Sequence, residues 1–476
     1  MKNNTNPVTP YIICAGALLS NLSAGMFNVA LIDITNDFGQ TVQSVQWMIT
    51  VYLLTISVCL PLMGRLGDMK GKRNIHNLGY LLFSAGSLLC ALSPNLACLI
   101  VFRIVQGAGA AMFQSTNMAL IVSLSSPERR GQALGRISTF VAVGAMIGPS
   151  LGGVVVQWFS WHMNFWLLAL FSFLIWLAAQ NLIPKETPAN RSFVDWTGAL
   201  LFGTALSGLI IGLNLGSTWG WSSAPIIFLL LFSLASGACF GWWSLSPRWA
   251  NSSRPPFIQL AIFRYKGVLL GIVIAVVSYM AVFSAQLVLP VYLRSILNVE
   301  PALAGLLMMA YPAALIIASP ISGRLSDRIG SYPIISIGMG GMIASLLLLS
   351  FITEGTSLSY IVIFTVALGA SMGMISSPNN SMTMGSAPSS SLGFIGSMIA
   401  LSRNLGMILG TIAGGALMAP SGSVLSAARI INGYVSPGFG KVFLLTSSLV
   451  AVTYSLLLLS VRQSKPKNPL HRRGNI

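Results

Sequence analysis

The sequence is expected to fold as an all-α integral membrane protein of about fourteen transmembrane helices: two six-helix parallel-repeat bundles plus an inserted central helix pair. Three observations carry that expectation. The 476-residue chain is 54% hydrophobic and 7% charged, with a mean hydropathy of +0.79, a balance that leaves lipid as the solvent. Apolar runs long enough for a hydrocarbon core about 30 Å thick, roughly 20 residues each, recur along it. They are too long for the alternating strands of a lipid-facing barrel, and a helix satisfies its own backbone in lipid. Finally, two motifs recur at nearly equal offsets, the mark of a duplicated bundle.

Taken in order, the first apolar run, 10–32, follows one early lysine and no small-residue cleavage site, so it is expected to remain as a signal anchor. Runs at 47–64, 74–93, 97–122, 137–159 and 162–183 complete six spans in an N-terminal bundle over 1–190. Runs at 196–215 and 224–245 form the inserted pair, with cytoplasmic links, within 191–262. Those at 268–292, 302–322, 332–352, 358–378, 391–419 and 440–461 make a C-terminal bundle over 263–476 that ends in a basic tail.

Fourteen spans put both termini on one side. With that side cytoplasmic, 21 of the 26 Lys and Arg fall inside, among them Arg65, Lys70, Lys72, Arg73, Arg129, Arg130, Arg248, Arg254, Arg264 and Lys266, as translocation requires. Arg294, Arg429 and Lys441 fall outside. The net charge of +17 therefore reads as topology and contact with anionic lipid head groups. No basic stripe with interleaved aromatics points to nucleic acid. Cys14, Cys59, Cys90, Cys98 and Cys239 lie scattered without metal-ligand spacing, so neither a disulfide nor a metal site is expected.

Gly64-Arg65-Leu66-Gly67-Asp68 recurs as Gly323-Arg324-Leu325-Ser326-Asp327, and Gly144, Gly148, Gly152 and Gly153 recur as Gly406, Gly410, Gly414 and Gly415. The second span thus matches the tenth and the fifth matches the thirteenth. The repeat is six helices long, parallel, and split by the inserted pair. Such repeats are expected of a transporter whose halves rock about a solute site near the bilayer midplane.

At these motifs the chain resembles the major facilitator superfamily, specifically its fourteen-helix drug:proton antiporter branch. The stretch from Gly64 to Arg73 matches the loop motif after the second helix, Arg103-Ile104-Val105-Gln106-Gly107-Ala108-Gly109 the fourth-helix motif, and Gly144–Gly153 with Pro149 the antiporter signature of the fifth. Asn28-Val29-Ala30-Leu31 with Gln46, Trp47 and Tyr52 resembles the first-helix region, and Asp195-Trp196-Thr197-Gly198 the inserted pair. The resemblance implies a secondary active transporter that exports hydrophobic or amphiphilic drugs against protons by alternating access; the short loops without an extra domain suggest a bacterial cytoplasmic membrane. The partners implied are a small-molecule substrate, protons and membrane lipids; no cofactor is expected, and the chain is expected to act as a monomer.

The motifs also read physically. Asp68 beside Arg65 and Arg73, and Asp327 beside Arg324, can form ion pairs at helix ends and act as a conformational latch, while the same cations fix topology. Glycines every fourth residue allow close helix approach, and Pro149 favours a bend, so this face serves a sliding interface or static packing. Arg103 lies within a span that also carries Gln106, Gln114 and Asn117; it either serves a polar cavity and proton coupling or locks helices together. Arg403 with Asn404 takes the same two readings, with snorkelling added.

One position departs from the branch. Ser23 stands where the resemblance implies a first-helix acid, and every acidic residue can be placed near a span end or in a loop. This leaves Asp33, at the outer end, as the carboxyl candidate for coupling. Asn28, Gln106, Asn117, Gln286, Asn379 and Asn380 are polar cavity candidates, with Met26, Phe27, Trp47, Tyr52, Met112 and Phe113 as apolar wall. A transporter or flippase of an endogenous lipid or metabolite, with or without proton coupling, shares every motif. A membrane-embedded enzyme would need a His/Glu/Asp cluster or HExxH spacing and an ATP-driven pump a Walker A loop, and the sequence carries neither.

Overall fold

The computed structural model of the protein describes residues 8–124, 130–184, 194–249, 256–386, 392–418 and 438–464. The expectations that fall on Arg129, Arg254, Arg429 and the tail beyond 464 lie outside these residues. Helices run at α1 (Thr9–Asp37), α2 (Val42–Lys70), α3 (Lys72–Ala91), α4 (Leu96–Ser123), α5 (Arg130–Trp158), α6 (Trp161–Leu182), α7 (Trp196–Trp219) and α8 (Ala224–Ser244). They continue with α9 (Lys266–Ser295), α10 (Pro301–Met308), α11 (Ala310–Ile329), α12 (Ser331–Leu349), α13 (Leu358–Gly385), α14 (Leu392–Met418) and α15 (Gly438–Ser464). Among the described residues there is no strand.

Since α10 and α11 continue one another across Met309, the described residues form fourteen rods at the positions of the fourteen apolar runs. Twelve are long and apolar enough to cross a membrane. Of the other two, α5 has a shorter apolar stretch, Val143–Trp158, and α3 opens on Lys72 and Arg73. Several rods outrun the apolar windows that announced them. Helix α1 continues through Asp33, Thr35 and Asn36, and α2 begins at Val42, where the Thr41 side chain accepts the Ser44 backbone N–H at 3.1 Å. Such a cap satisfies one orphan donor of the first turn, so polar residues extend the helix where hydropathy alone ends it.

Helices α1–α6 pack among themselves, α1 along α5, α3 against α4 and α6, and α2 against α4. Rods α9–α15 do likewise, α9 along α14, α13 against α11 and α12, and α15 against α12 and α9. Repeated sequence makes repeated contacts. A side chain at Gly144 would meet the Leu18 carbonyl of α1, and one at Gly406 the Val276 carbonyl of α9. Likewise Gly64 faces Ser115 and Gly323 faces Ser377.

The central pair, α7 and α8, packs together and touches α2 and α14. Asn214 of α7 donates to Thr50 of α2, while Phe202, Phe240 and Phe257 cluster with Met398 and Leu401 of α14. The buried carboxylate of Asp195 ties this pair to the chain that follows. It caps α7 at Gly198 (2.9 Å), accepts from the Trp243 indole of α8 (3.1 Å) and accepts from the Phe257 backbone (3.0 Å). Away from these contacts the surface is apolar: Leu170, Phe171 and Leu174 of α6 and Phe228, Leu231 and Leu234 of α8 are exposed. An apolar surface of that extent is at equilibrium only in lipid. The chain is an integral membrane protein.

Candidate functional site

Arg103, one of the two cations that the sequence places inside spans, is enclosed within the first six helices, 1% exposed. One guanidinium nitrogen donates to Gln106 Oε1 at 2.7 Å and to Ser23 Oγ of α1 at 3.1 Å. Gln106 passes the chain on by donating to Ser87 Oγ of α3 at 2.7 Å. The guanidinium plane lies 4.1 Å from the Phe27 ring centre, 4.9 Å from Phe165 and 5.1 Å from Tyr52, attraction that desolvation strengthens. A second chain adjoins the first, with Gln114 donating to Ser20 Oγ at 2.7 Å and Ser20 paired with the Tyr52 hydroxyl at 3.0 Å.

This network joins α1, α2, α3 and α4 and holds no carboxylate. Every described acidic residue lies within about a turn of a helix end or in a loop. Of the sequence candidates, the structure brings Arg103 and Gln106 together. Asn28 and Asn117 are buried apart from them, with Asn117 Oδ1 lacking a partner. Asn379, also buried, donates to the Gly271 carbonyl of α9, and Asn380 is exposed. Phe165, Ser20 and Ser87 belong to the network without any sequence signal that distinguishes them from other apolar-span residues.

Asp33 lies elsewhere, at the end of the bundle opposite the basic loop motif. Arg294 of α9 grips its carboxylate with both terminal nitrogens, 2.8 Å for the Nη2 contact, and donates also to the Val29 carbonyl at 3.1 Å. Two further clasps join the six-helix groups at this same face. Gln46 of α2 donates to the Thr411 carbonyl of α14. Gln157 of α5 accepts from the Ala302 backbone at 2.9 Å and donates to Glu300. Gly153 and Pro149 of α5 abut Pro301 and Gly305 of α10 backbone to backbone. These hydrogen bonds and glycine contacts between the groups all lie toward this face. Beside Asp33, a surface cavity of about 550 Å³ is lined by Asn36, Asp37, Trp161 and His162, the indole donating to Asp37.

At the opposite, basic face, Asp68 meets Lys72 at 3.9 Å and Arg73 donates to the Gln180 carbonyl of α6. Gly67 lies against Thr116, and Arg65 makes no ion pair among the described residues. Arg324 and Asp327 are exposed and likewise make none. Among the described residues, Arg403, half-buried on α14, makes no hydrogen bond or ion pair, and the buried amide nitrogen of neighbouring Asn404 has no acceptor. Gly148 and Gly152 face Leu22 and Met26 of α1, while Gly410 and Gly414 face Met280, Ser284 and Leu287 of α9.

The fold resembles a crystal structure of an auto-inhibited POT family peptide transporter with a TM-score of 0.71, at 13% identity, over 98% of this chain and 99% of that one. In sequence the chain is similar to the riboflavin transporter RibZ of Clostridioides difficile, 31% identical across 84% of this chain and 85% of the relative. It is 28% identical to the multidrug resistance protein Stp of Mycobacterium tuberculosis, covering 89% and 77%. The lincomycin resistance protein LmrB of Listeria monocytogenes is 26% identical, covering 79% of each. The profile of the Major Facilitator Superfamily matches residues 13–198, 196–411 and 271–474, both repeats and the inserted pair included. The chain belongs to the Major Facilitator Superfamily and is one of its membrane transporters.

Proposed function

We propose that the protein is a proton-coupled exporter of hydrophobic or amphiphilic small molecules, moving them between its two six-helix halves by alternating access. The observation that carries this reading is a one-sided closure among the described residues: the halves meet through three clasps at one face, and no described hydrogen bond or ion pair joins them at the motif-bearing basic face. Such a bundle is half of an alternating pair of states. Basic residues accumulate on the cytoplasmic side of membrane proteins, which supports both termini inside and the clasped face outside. The closed outer face then leaves the space between the halves facing the cytoplasm, where an exporter loads. Relatives named for multidrug and lincomycin resistance support the direction and the substrate class.

A second reading, transport of an endogenous amphiphile or metabolite, draws on the lack of any carboxylate around Arg103 and on the relative named a riboflavin transporter. The deciding experiment uses proteoliposomes with an imposed proton gradient and an enclosed pH-sensitive dye, challenged with lipophilic cations, neutral drugs and anions in turn. Substrate-dependent proton movement, absent from protein-free vesicles, is the expected result. Substrate flux without proton movement would refute the coupling and favour the second reading.

A further inference from the structure

Arg403 is the feature that the architecture leaves unexplained. It lies nine residues, about 14 Å of helix, inside the span Phe394–Leu417, beyond the distance over which a side chain snorkels to the surface. No carboxylate, carbonyl or aromatic ring meets it among the described residues. Next to it, Asn404 is 3% exposed and its buried amide nitrogen has no acceptor among the described residues. Two adjacent residues thus hold a full charge and an amide N–H₂ without partners at mid-span, a costly arrangement unless something supplies the acceptors.

The direction of Arg403 follows from its neighbours on α14. Gly406 meets Val276 and Tyr279 of α9, and the Thr411 carbonyl receives Gln46 from the opposite half. At roughly 100° per residue, Arg403 lies between those two directions, about 60° from one and about 80° from the other. It is therefore turned to the flank that faces the other half, about 12 Å along the helix from the outer seal at Thr411. The repeat adds a contrast. The offset that maps Gly144 onto Gly406 maps Val141 onto Arg403. Scaffold glycines recur in both halves; this cation does not.

We infer that Arg403 and Asn404 form an anion-recognising site facing the space between the halves, and that the cargo is an amphiphile carrying a carboxylate, sulfonate or phosphate group. This rests on the transporter reading above and narrows its substrate class. A guanidinium binds such oxyanions through paired charge-assisted N–H bonds, and the adjacent amide adds one more donor.

The full-length protein in detergent is titrated with 8-anilino-1-naphthalenesulfonate and, separately, with N-phenyl-1-naphthylamine, which has the same rings and no anion, following ligand fluorescence. Saturable sulfonate binding is expected, weakened about tenfold or more in Arg403→Gln and largely retained in Arg403→Lys, with the neutral probe changed less than about twofold. Asn404→Leu is expected to weaken the sulfonate by a smaller factor, and thermal unfolding checks that each variant is folded. Equal sulfonate affinity in wild type and Arg403→Gln overturns the assignment. In nanodiscs, competition by phosphatidylglycerol that depends on Arg403 identifies the bound anion as a lipid head group; indifference to phosphatidylglycerol identifies it as soluble cargo. The titration needs no gradient. A chain that binds the sulfonate and carries nothing refutes transport and upholds the site, while export of uncharged drug with equal sulfonate affinities does the reverse.

Discussion

Arg103 shows how an ionised side chain is held in a membrane helix without a counter-charge. Two neutral oxygens and three aromatic rings surround it. Truncation would strand Gln106 and leave a void against Phe27 and Phe165, so Arg103→Ala is expected to cost about 3 kcal/mol, read as a lower thermal unfolding temperature. Ser23→Asp would supply the missing carboxylate and is expected to hold or raise that temperature, whereas Ser23→Leu, which removes an acceptor, should lower stability by about 1–3 kcal/mol. A Ser23→Asp protein markedly less stable than wild type would contradict the geometry. Asp195 is the opposite case, a buried anion held by N–H donors from α7, α8 and the linker after them. Asp195→Ala loses a helix cap and two further bonds and is expected to cost about 2–3 kcal/mol, with the largest gain in protease sensitivity near Phe257.

At the scale of elements, the glycine stripes of α5 and α14 serve two kinds of contact. Gly144, Gly148 and Gly152 approach α1 of their own half, whereas Gly153 reaches α10 of the other. The repeat reproduces this division, for Gly406, Gly410 and Gly414 approach α9 while Gly415 reaches Gln46 of α2. The two seams are related but unequal. Where Gln46 donates to the Thr411 carbonyl, its counterpart Gly305 has no side chain and lets the Pro149 carbonyl close on the backbone. Gly305→Val is therefore expected to hold the outer face open while leaving each half folded. Gly144→Val should instead disrupt packing inside the first half and reduce folded yield. Maleimide labelling of a cysteine placed by Asn36→Cys, together with unfolding temperature, separates these outcomes; unchanged labelling in Gly305→Val would argue against the seam.

For the whole molecule, the Asp33–Arg294 clasp lies at the ends of α1 and α9 opposite the basic loop motif, on helices that pack equivalently in the two six-helix groups. Its members stand 261 residues apart, within the range of offsets that define the repeat. A residue near a pseudo-twofold axis meets its own counterpart, so duplication itself brings this pair together, with an acid in one copy and a base in the other. Breaking the clasp weakens closure without touching the fold of either half. Asp33→Asn and Arg294→Gln are each expected to increase labelling at Asn36→Cys about fivefold, equivalent to about 1 kcal/mol of shifted population. The exchange Asp33→Arg with Arg294→Asp should restore low labelling. Failure of the exchange to rescue would show that local fit, and not charge pairing, holds the face closed.

The sequence by itself determined the solvent, the helical class, the order of the rods among the described residues and the family, because each is set by local quantities: the hydropathy of about twenty residues, or a short motif. Duplication was legible for the same reason, since it needs only the chain compared with itself. Partnerships were not. Asp33 and Arg294 were readable as charges near the outer face, but nothing in their neighbourhoods names the other, and Gln46 gives no hint of Thr411. Arg103 was visible as an intramembrane cation, yet whether a carboxylate or a neutral cage surrounds it depends on how α1, α4 and α6 cross. The face on which the described clasps join the halves, and the half-buried setting of Arg403 without an ion pair among the described residues, were likewise decided by the tertiary structure. Side chains hundreds of residues apart meet only when helices pack, and the packing direction of a helix that is apolar all round leaves no trace in its composition.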